Sequence, residues 1–171
     1  AVTGVQTCAL PIYYQVRLDS AFDMTLQACA TTPRDGQPGT WITEEMRAAY
    51  RALHELGFAH SVEVWMDGML AGGLYGVALG RVFYGESMFS RVTDGSKIAL
   101  AHLVSHLHAQ GFEMIDCQMH TPHLASLGAR EIGRQEFVER VADLVEAPVC
   151  PGRWPVDAAH RCWKDKHVTT E

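Results

Sequence analysis

Excess positive charge is the first thing this sequence lacks. Its 171 residues carry 14 Lys+Arg against 20 Asp+Glu, a formal net charge of −6 with a pI near 5.8. That balance argues against a broadly basic nucleic-acid surface while leaving room for a local basic patch. No apolar run approaches the ~20 residues that cross a bilayer as a helix, so no membrane partner is expected. The five cysteines, Cys8, Cys29, Cys117, Cys150 and Cys162, form no CxxC pair and no regular framework. Scattered spacing and an odd count suit reduced thiols in a cytoplasmic protein. Cys150, His160, Cys162 and His167 crowd the C-terminal end, but their gaps and the intervening Pro151, Trp154 and Pro155 fit no common zinc spacing. No metal is expected. A Walker-type phosphate loop and internal repeats are also missing, and Gly85-Glu86-Ser87-Met88-Phe89 lacks the second glycine of a nucleophile elbow.

What is present is a core. Hydrophobic residues make up 47% of the chain and charged residues 20%, which suits one globular domain. Residues 1–12 stand apart: Val2 to Ile12 reads as the in-frame translation of a sequencing-library adapter, interrupted by Pro11. Native sequence is expected from Tyr13, with the natural chain beginning further upstream. Residues 13–148 form the expected domain, and residues 149–171 a loosely packed, Pro- and charge-rich tail.

Along the domain, Tyr14 to Leu18 alternates like a short edge strand. Ser20 with Asp23 suggests a helix start, followed by Phe22, Leu26 and Cys29 on one face. Thr32 to Gly39 is a loop by composition. Thr43 begins a second helix with the stripe Met46, Ala49, Tyr50 and Leu53, ended by Gly57. Three strands then follow, Ser61 to Trp65, Met69 to Leu79 and Arg81 to Phe89, with Asp67-Gly68 as a hairpin turn and another turn at Gly80. The next helix, capped by Asp94 or Ser96, carries Leu100, Leu103, Val104 and Leu107, with His102 and His106 expected on a solvated face. A buried strand from Phe112 to Met119 follows as a crossover return, then a short helix from Thr121-Pro122 to Gly128. A last helix bears Phe137, Val141, Leu144 and Val145.

Three side chains on this frame ask for chemistry. Asp116 and Gln118, two apart in a strand, share one face, with Ile115 and Cys117 on the other. Glu86 lies in an apolar run where an unpaired carboxylate is costly to bury. The three can line one polar cleft, or each can end in a structural hydrogen bond or at a strand terminus.

The order of meander, helix and strand resembles the acetyltransferase-like α/β fold, a mixed and mostly antiparallel sheet flanked by helices. The position of that fold's glycine-rich pyrophosphate loop reads Arg91-Val92-Thr93-Asp94-Gly95 here, which leaves coenzyme A without its usual seat. No cofactor is expected.

More specific are six segments met in order: Thr40-Trp41-Ile42-Thr43, His60 to Trp65, Gly72-Gly73-Leu74-Tyr75-Gly76, Gly85 to Ser90, Ile115-Asp116-Cys117-Gln118 and Ser126-Leu127-Gly128-Ala129. Together they closely resemble the bacterial leucyl/phenylalanyl-tRNA–protein transferases over roughly Tyr14 to Arg140. The resemblance implies transfer of leucine or phenylalanine from charged tRNA to proteins beginning with arginine or lysine, in the N-degron pathway, by a cytoplasmic monomer. It implies Asp116 and Gln118 at the attacking amine, Glu86 for the acceptor's basic side chain, and Trp41 at the 3′-adenosine. An apolar pocket for the aminoacyl side chain falls on Leu74, Phe83, Leu103, Leu107 and Ile115, each equally consistent with plain core. The family's N-terminal domain and upstream basic cluster have no counterpart here, so weak tRNA binding is expected. Two other readings remain: a non-catalytic domain that binds basic N-termini through Glu86, and a coenzyme A-dependent N-acyltransferase.

Overall fold

Asp67 and Gly68 both take positive φ, 50° and 76°, the geometry of a two-residue hairpin turn whose twist matches the strands it joins. The computed structural model describes residues 14–33, 41–147 and 152–155. In it this turn links β2 (Ala59–Met66) to β3 (Met69–Leu79), and a second turn at Gly80 leads into β4 (Val82–Ser90). With β1 (Gln15–Leu18) on one edge and β5 (Met114–Asp116) on the other, the five strands lie in the order β1-β2-β3-β4-β5. The first four pair antiparallel, and β5 joins β4 in parallel. Among the described residues five helices accompany the sheet: α1 (Phe22–Thr31), α2 (Glu44–Glu55), α3 (Gly95–Ala109), α4 (Pro122–Ser126) and α5 (Arg134–Val145). None is long and apolar enough to cross a membrane.

The period-two alternation of the strands divides the core in two. Val62, Val64, Leu74, Ala78 and Phe83 face Ala99, Leu103 and Leu107 of α3. On the other face Leu70, Tyr75 and Phe89 meet Phe22, Leu26 and Cys29 of α1, with Ile42 and the α2 side chains Tyr50 and Leu53. α2 starts as its sequence dictates, since the Thr43 hydroxyl accepts from the Met46 N–H at 3.3 Å and Glu44 and Glu45 occupy the first turn. Ala49 is exposed, and His54 is the buried residue of that helix.

α1 departs from expectation at its start. Its N-cap is Ala21, with no side-chain cap. Ser20 turns away to Glu63, whose carboxylate accepts the Ser20 hydroxyl at 2.6 Å and the Ser20 N–H at 3.2 Å, together with the Ser61 hydroxyl. Glu63 is fully buried. Burial raises its pKa against the opposing pull of these hydrogen bonds. A carboxyl that holds its proton more tightly when folded stabilises the fold below its unfolded value of 4.5. That contribution is lost as pH climbs through the folded pKa. Glu63→Gln has no proton to lose, so its stability relative to the native chain should rise as pH increases from 4.5 towards neutrality. Urea denaturation at several pH values checks this, and parallel curves would rule it out.

α3 buries a different stripe from the one its leucines suggest. Ala99, Leu103, His106 and Leu107 point inward, while Val104 is 47% exposed. His106, expected in solvent, is buried beside the ring of Trp154 at 4.5 Å. Trp154, in a tail expected to be loose, packs on the domain, and Gly152 of the same segment donates its N–H to Gly57 O at 3.3 Å. The Trp154 ring stacks on His60 at 4.0 Å and lies 5.9 Å from Phe83, and the Trp154 backbone N–H donates to Asp19 Oδ2 at 2.8 Å. Asp19 also binds His60 Nδ1 at 2.8 Å and accepts the Ser61 N–H at 2.9 Å. Cys150, His160, Cys162 and His167 of the tail lie outside the described residues, as do residues 1–12.

β5 is shorter than the run from Phe112 to Met119 predicts. Gln118 has φ 62°, which no strand residue adopts. The Asp116 carboxylate accepts the Gln118 N–H at 2.8 Å and closes a local turn that competes with the ladder. Chain then passes to α4, whose N-cap Thr121 accepts from the Leu124 N–H at 3.1 Å and whose Pro122 occupies the first turn. α5 returns to the sheet through the Arg81 N–H, which donates to Leu144 O at 2.9 Å.

Candidate functional site

The register of β4 and β5 brings the candidate carboxylates to one side of the sheet. Phe83 pairs with Ile115, and Tyr84 with Asp116. Phe83 and Ile115 pack into the cluster under α3, so alternation turns Tyr84 and Asp116 towards the α1–α2 face. Burial, and behind it the Asp116 charge, raise the Tyr84 phenol pKa and the Cys117 thiol pKa.

Glu86 reaches the same face by an irregularity. Gly76 pairs with Gly85, but Tyr75 pairs with Ser87, so Glu86 is the extra residue of a β-bulge. The strand opposite accommodates it with glycine. A Cβ on Gly76 would stand 2.2 Å from Tyr84 O and 2.5 Å from the Phe83 ring. Burial first, then the nearby Glu86 carboxylate, hold the Tyr50 phenol of α2 far above its ordinary pKa. Among the described residues no cation pairs with Glu86. A Cβ on Gly85 would lie 3.5 Å from the backbone carbonyl oxygen of Asp116, and Glu86 is not among the residues that line the cleft holding Asp116 and Gln118.

Asp116 and Gln118 do come together, but through the turn rather than through strand alternation. Both line a cleft of about 1010 Å³ beside β5, walled by α3, α4 and α5. Asp116 is half-buried and Gln118 exposed. Leu100, Val104, Ile115 and Phe137 supply apolar lining, and Arg130, Arg134 and Arg140 supply cations.

The five residues expected to form an aminoacyl pocket separate here. Ile115 lines the cleft. Leu74, Phe83, Leu103 and Leu107 are at most 3% exposed and belong to the core under α3. Their spacing could not distinguish pocket from core, because both demand large apolar side chains. Leu100, Val104 and Phe137 face the cleft instead, and their half-satisfied helical stripes were the available sequence signal. Trp41 is 43% exposed and sits just before α2, next to Ile42, which is buried with Leu70 and Phe89. It does not line the cleft.

The segment from Arg91 to Gly95 forms a turn in which Asp94 takes φ 64°. The Ser90 hydroxyl accepts from the Ser96 N–H at 3.2 Å, and Gly95 packs so tightly on β3 that a Cβ on Gly72 would meet it at 2.6 Å. Neither Asp94 nor Ser96 caps α3 with its side chain.

Comparison with known proteins bears on this arrangement. The sequence profile of the family described as leucyl/phenylalanyl-tRNA protein transferase matches residues 9–142. A leucyl/phenylalanyl-tRNA–protein transferase of Chromobacterium violaceum is 58% identical over 147 residues, which is 86% of this chain and 63% of that protein. One from Nitrosospira multiformis is 61% identical over 144 residues, covering 84% of this chain and 62% of the relative. The chain thus spans a little under two thirds of the length of these curated relatives. Among solved structures, an aminoglycoside acetyltransferase from an uncultured soil metagenomic sample superposes with a TM-score of 0.52 at 19% identity, covering 70% of this chain and 93% of that one. That likeness concerns the fold, which is the acetyltransferase-like α/β fold expected from the element order.

Proposed function

The chain belongs to the leucyl/phenylalanyl-tRNA protein transferase family, and from that premise we propose that it carries the acyl-transfer site which moves leucine or phenylalanine from charged tRNA to proteins beginning with arginine or lysine. The observation that carries this reading is the cleft lined by Asp116 and Gln118 at their shared turn, with Asp116 held in the ladder opposite Tyr84, two residues before Glu86.

The chemistry asked of these residues is modest. An aminoacyl ester is already activated, so holding an amine against its carbonyl supplies much of the acceleration. The α-amine has a pKa near ~8, and a useful share is neutral at cellular pH. As its nitrogen bonds to the carbonyl carbon, the ester C–O bond breaks, the terminal ribose oxygen of the tRNA leaves, and the amine sheds a proton. Asp116 is the carboxylate offered to support the amine, receive that proton and return it to the departing ribose oxygen, which leaves as the hydroxyl. The Gln118 side-chain oxygen is an acceptor that can orient the amine, since an amide is a very poor base. Glu86 suits the guanidinium or ammonium of the acceptor's first residue. On the donor side, Ile115 and the cleft are offered to the aminoacyl side chain, and Trp41 to a base by stacking. The donor places the reaction in the cytoplasm, where it would mark proteins for the N-degron pathway.

The test is transfer of radiolabelled phenylalanine from charged tRNA to a peptide beginning with arginine. It is run on this chain and on a chain extended to the full length of the Chromobacterium violaceum relative. Transfer in either form is expected, falling at least tenfold when the peptide begins with a neutral residue. No transfer in both, with the arginine peptide still bound, would favour a non-catalytic binding domain.

A further inference from the structure

We propose that Arg130 and Arg134 bind backbone phosphates at the 3′ end of the donor. The cleft then takes an aminoacylated nucleotide, with its ester at the Asp116–Gln118 turn and its phosphodiesters on the arginines. The proposal rests on the reading that the donor is charged tRNA, and deepens it.

Size points to an occupant larger than a side chain. The cleft encloses about 1010 Å³, at the upper end of the roughly 300–1,000 Å³ of small-molecule sites. A leucyl or phenylalanyl side chain fills a small part of that volume, and room remains for the nucleotide that bears it. Charge points to phosphate. The chain has 14 Lys+Arg against 20 Asp+Glu, so a polyanion is repelled unless cations are gathered locally. Arg130, Arg134 and Arg140 all line this one cleft. Arg140 is turned to Glu136 at 3.7 Å. Arg130 and Arg134 are exposed, and among the described residues neither joins an ion pair. Three carboxylates share the lining. Glu113 is paired with Arg81 at 3.0 Å and Asp116 is bound into its turn, both on the β5 side. Glu131 stands in sequence between Arg130 and Arg134. The guanidinium fork matches two oxygens of a phosphodiester. Leu100, Val104 and Phe137 of the same lining offer apolar contact to a base and to the aminoacyl side chain. The acceptor begins with a cation, which these arginines repel, so they suit the donor.

Two probes test this on the chain as it stands. One is 3′-amino-3′-deoxyadenosine acylated with phenylalanine, whose amide replaces the labile ester. The other is the same unit at the end of a trinucleotide, which adds two phosphodiesters. The trinucleotide should bind at least about tenfold more tightly, the scale of one charge-assisted hydrogen bond. Arg130→Gln with Arg134→Gln should abolish that difference and leave the nucleoside, an arginine-initiated peptide and the melting temperature unchanged. Plotted against the logarithm of salt concentration, trinucleotide affinity should fall with a slope of about −0.7 per phosphate held, and the double variant should flatten it. Arg130→Lys with Arg134→Lys should keep the slope. Equal affinity of the native chain for the two probes, or a trinucleotide indifferent to the double variant, would overturn the proposal alone. Inorganic phosphate that displaces the trinucleotide at equal concentration would make this a free-phosphate site and overturn it too. Matching losses for peptide and trinucleotide would assign the arginines a purely structural part. A native chain that binds neither probe would overturn the reading beneath.

Discussion

Asp116→Asn is expected to lower transfer of phenylalanine to an arginine-initiated peptide by on order of 10²–10⁴, the range for removing a positioned general base or acid. The substitution is chosen because Asp116 has two jobs that alanine would confuse. One oxygen accepts the Gln118 N–H at 2.8 Å and holds the turn in which Gln118 takes φ 62°. Asparagine retains an acceptor oxygen there, so the turn and the cleft geometry persist. What disappears is the negative charge beside the attacking amine and the capacity to take up its proton. A variant that keeps activity within about threefold would reduce Asp116 to a turn-forming residue. A variant with intact melting temperature, intact peptide binding and lost turnover would place the carboxylate at the chemical step.

Phe83→Ala should produce the largest loss of stability, about 3–5 kcal/mol. That corresponds to a fall in melting temperature on the order of 10 °C for a domain of this size. Phe83 is fully buried and packs with Leu74, Leu103 and Leu107 beneath α3. Its ring also occupies the space over Gly76, where a Cβ would meet it at 2.5 Å, and lies 5.9 Å from Trp154. Removing it leaves a cavity bounded by strand backbone on one side and a stacked aromatic on the other, neither of which can collapse into the gap. The experiment also separates two roles for the same residue. If Phe83 lined an aminoacyl pocket, its truncation would shift the preference between leucyl and phenylalanyl donors at small cost in stability. A melting temperature within about 2 °C of native, with altered donor preference, would contradict its assignment to the core.

Local chemistry made several elements readable in the sequence. Asp67-Gly68 announced the hairpin, Thr43 with Glu44 and Glu45 announced α2, and Thr121-Pro122 with Gly128 bracketed α4. Each depends on residues within seven positions of one another. Asp116, Gln118 and Glu86 were likewise legible as candidates, since a carboxylate in an apolar run demands an explanation wherever the chain puts it.

The same local logic failed where a distant partner outbid it. Ser20 looks like a helix cap, but it bonds to Glu63, 43 residues away. His106 looks solvated until Trp154 is laid against it, and that tryptophan is tied to Asp19 across 135 residues of chain. Residues 112–119 read as one strand because alternation cannot foresee that Asp116 will cap its own strand.

What the sequence by itself determined about this protein is its family, its mixed sheet and the identity of the polar residues that need partners. These rest on residue types, short-range spacing and ordered motifs, all of which survive in one dimension. Tertiary structure alone decided that Glu86 stands on a bulge between the Gly76–Gly85 and Tyr75–Ser87 pairs. It also decided that Leu74, Phe83, Leu103 and Leu107 are core while Ile115 borders the cleft. The physical reason is common to both. A side chain's burial and bonding partners are set by which strands and helices close over it, and residue type limits those choices without selecting among them.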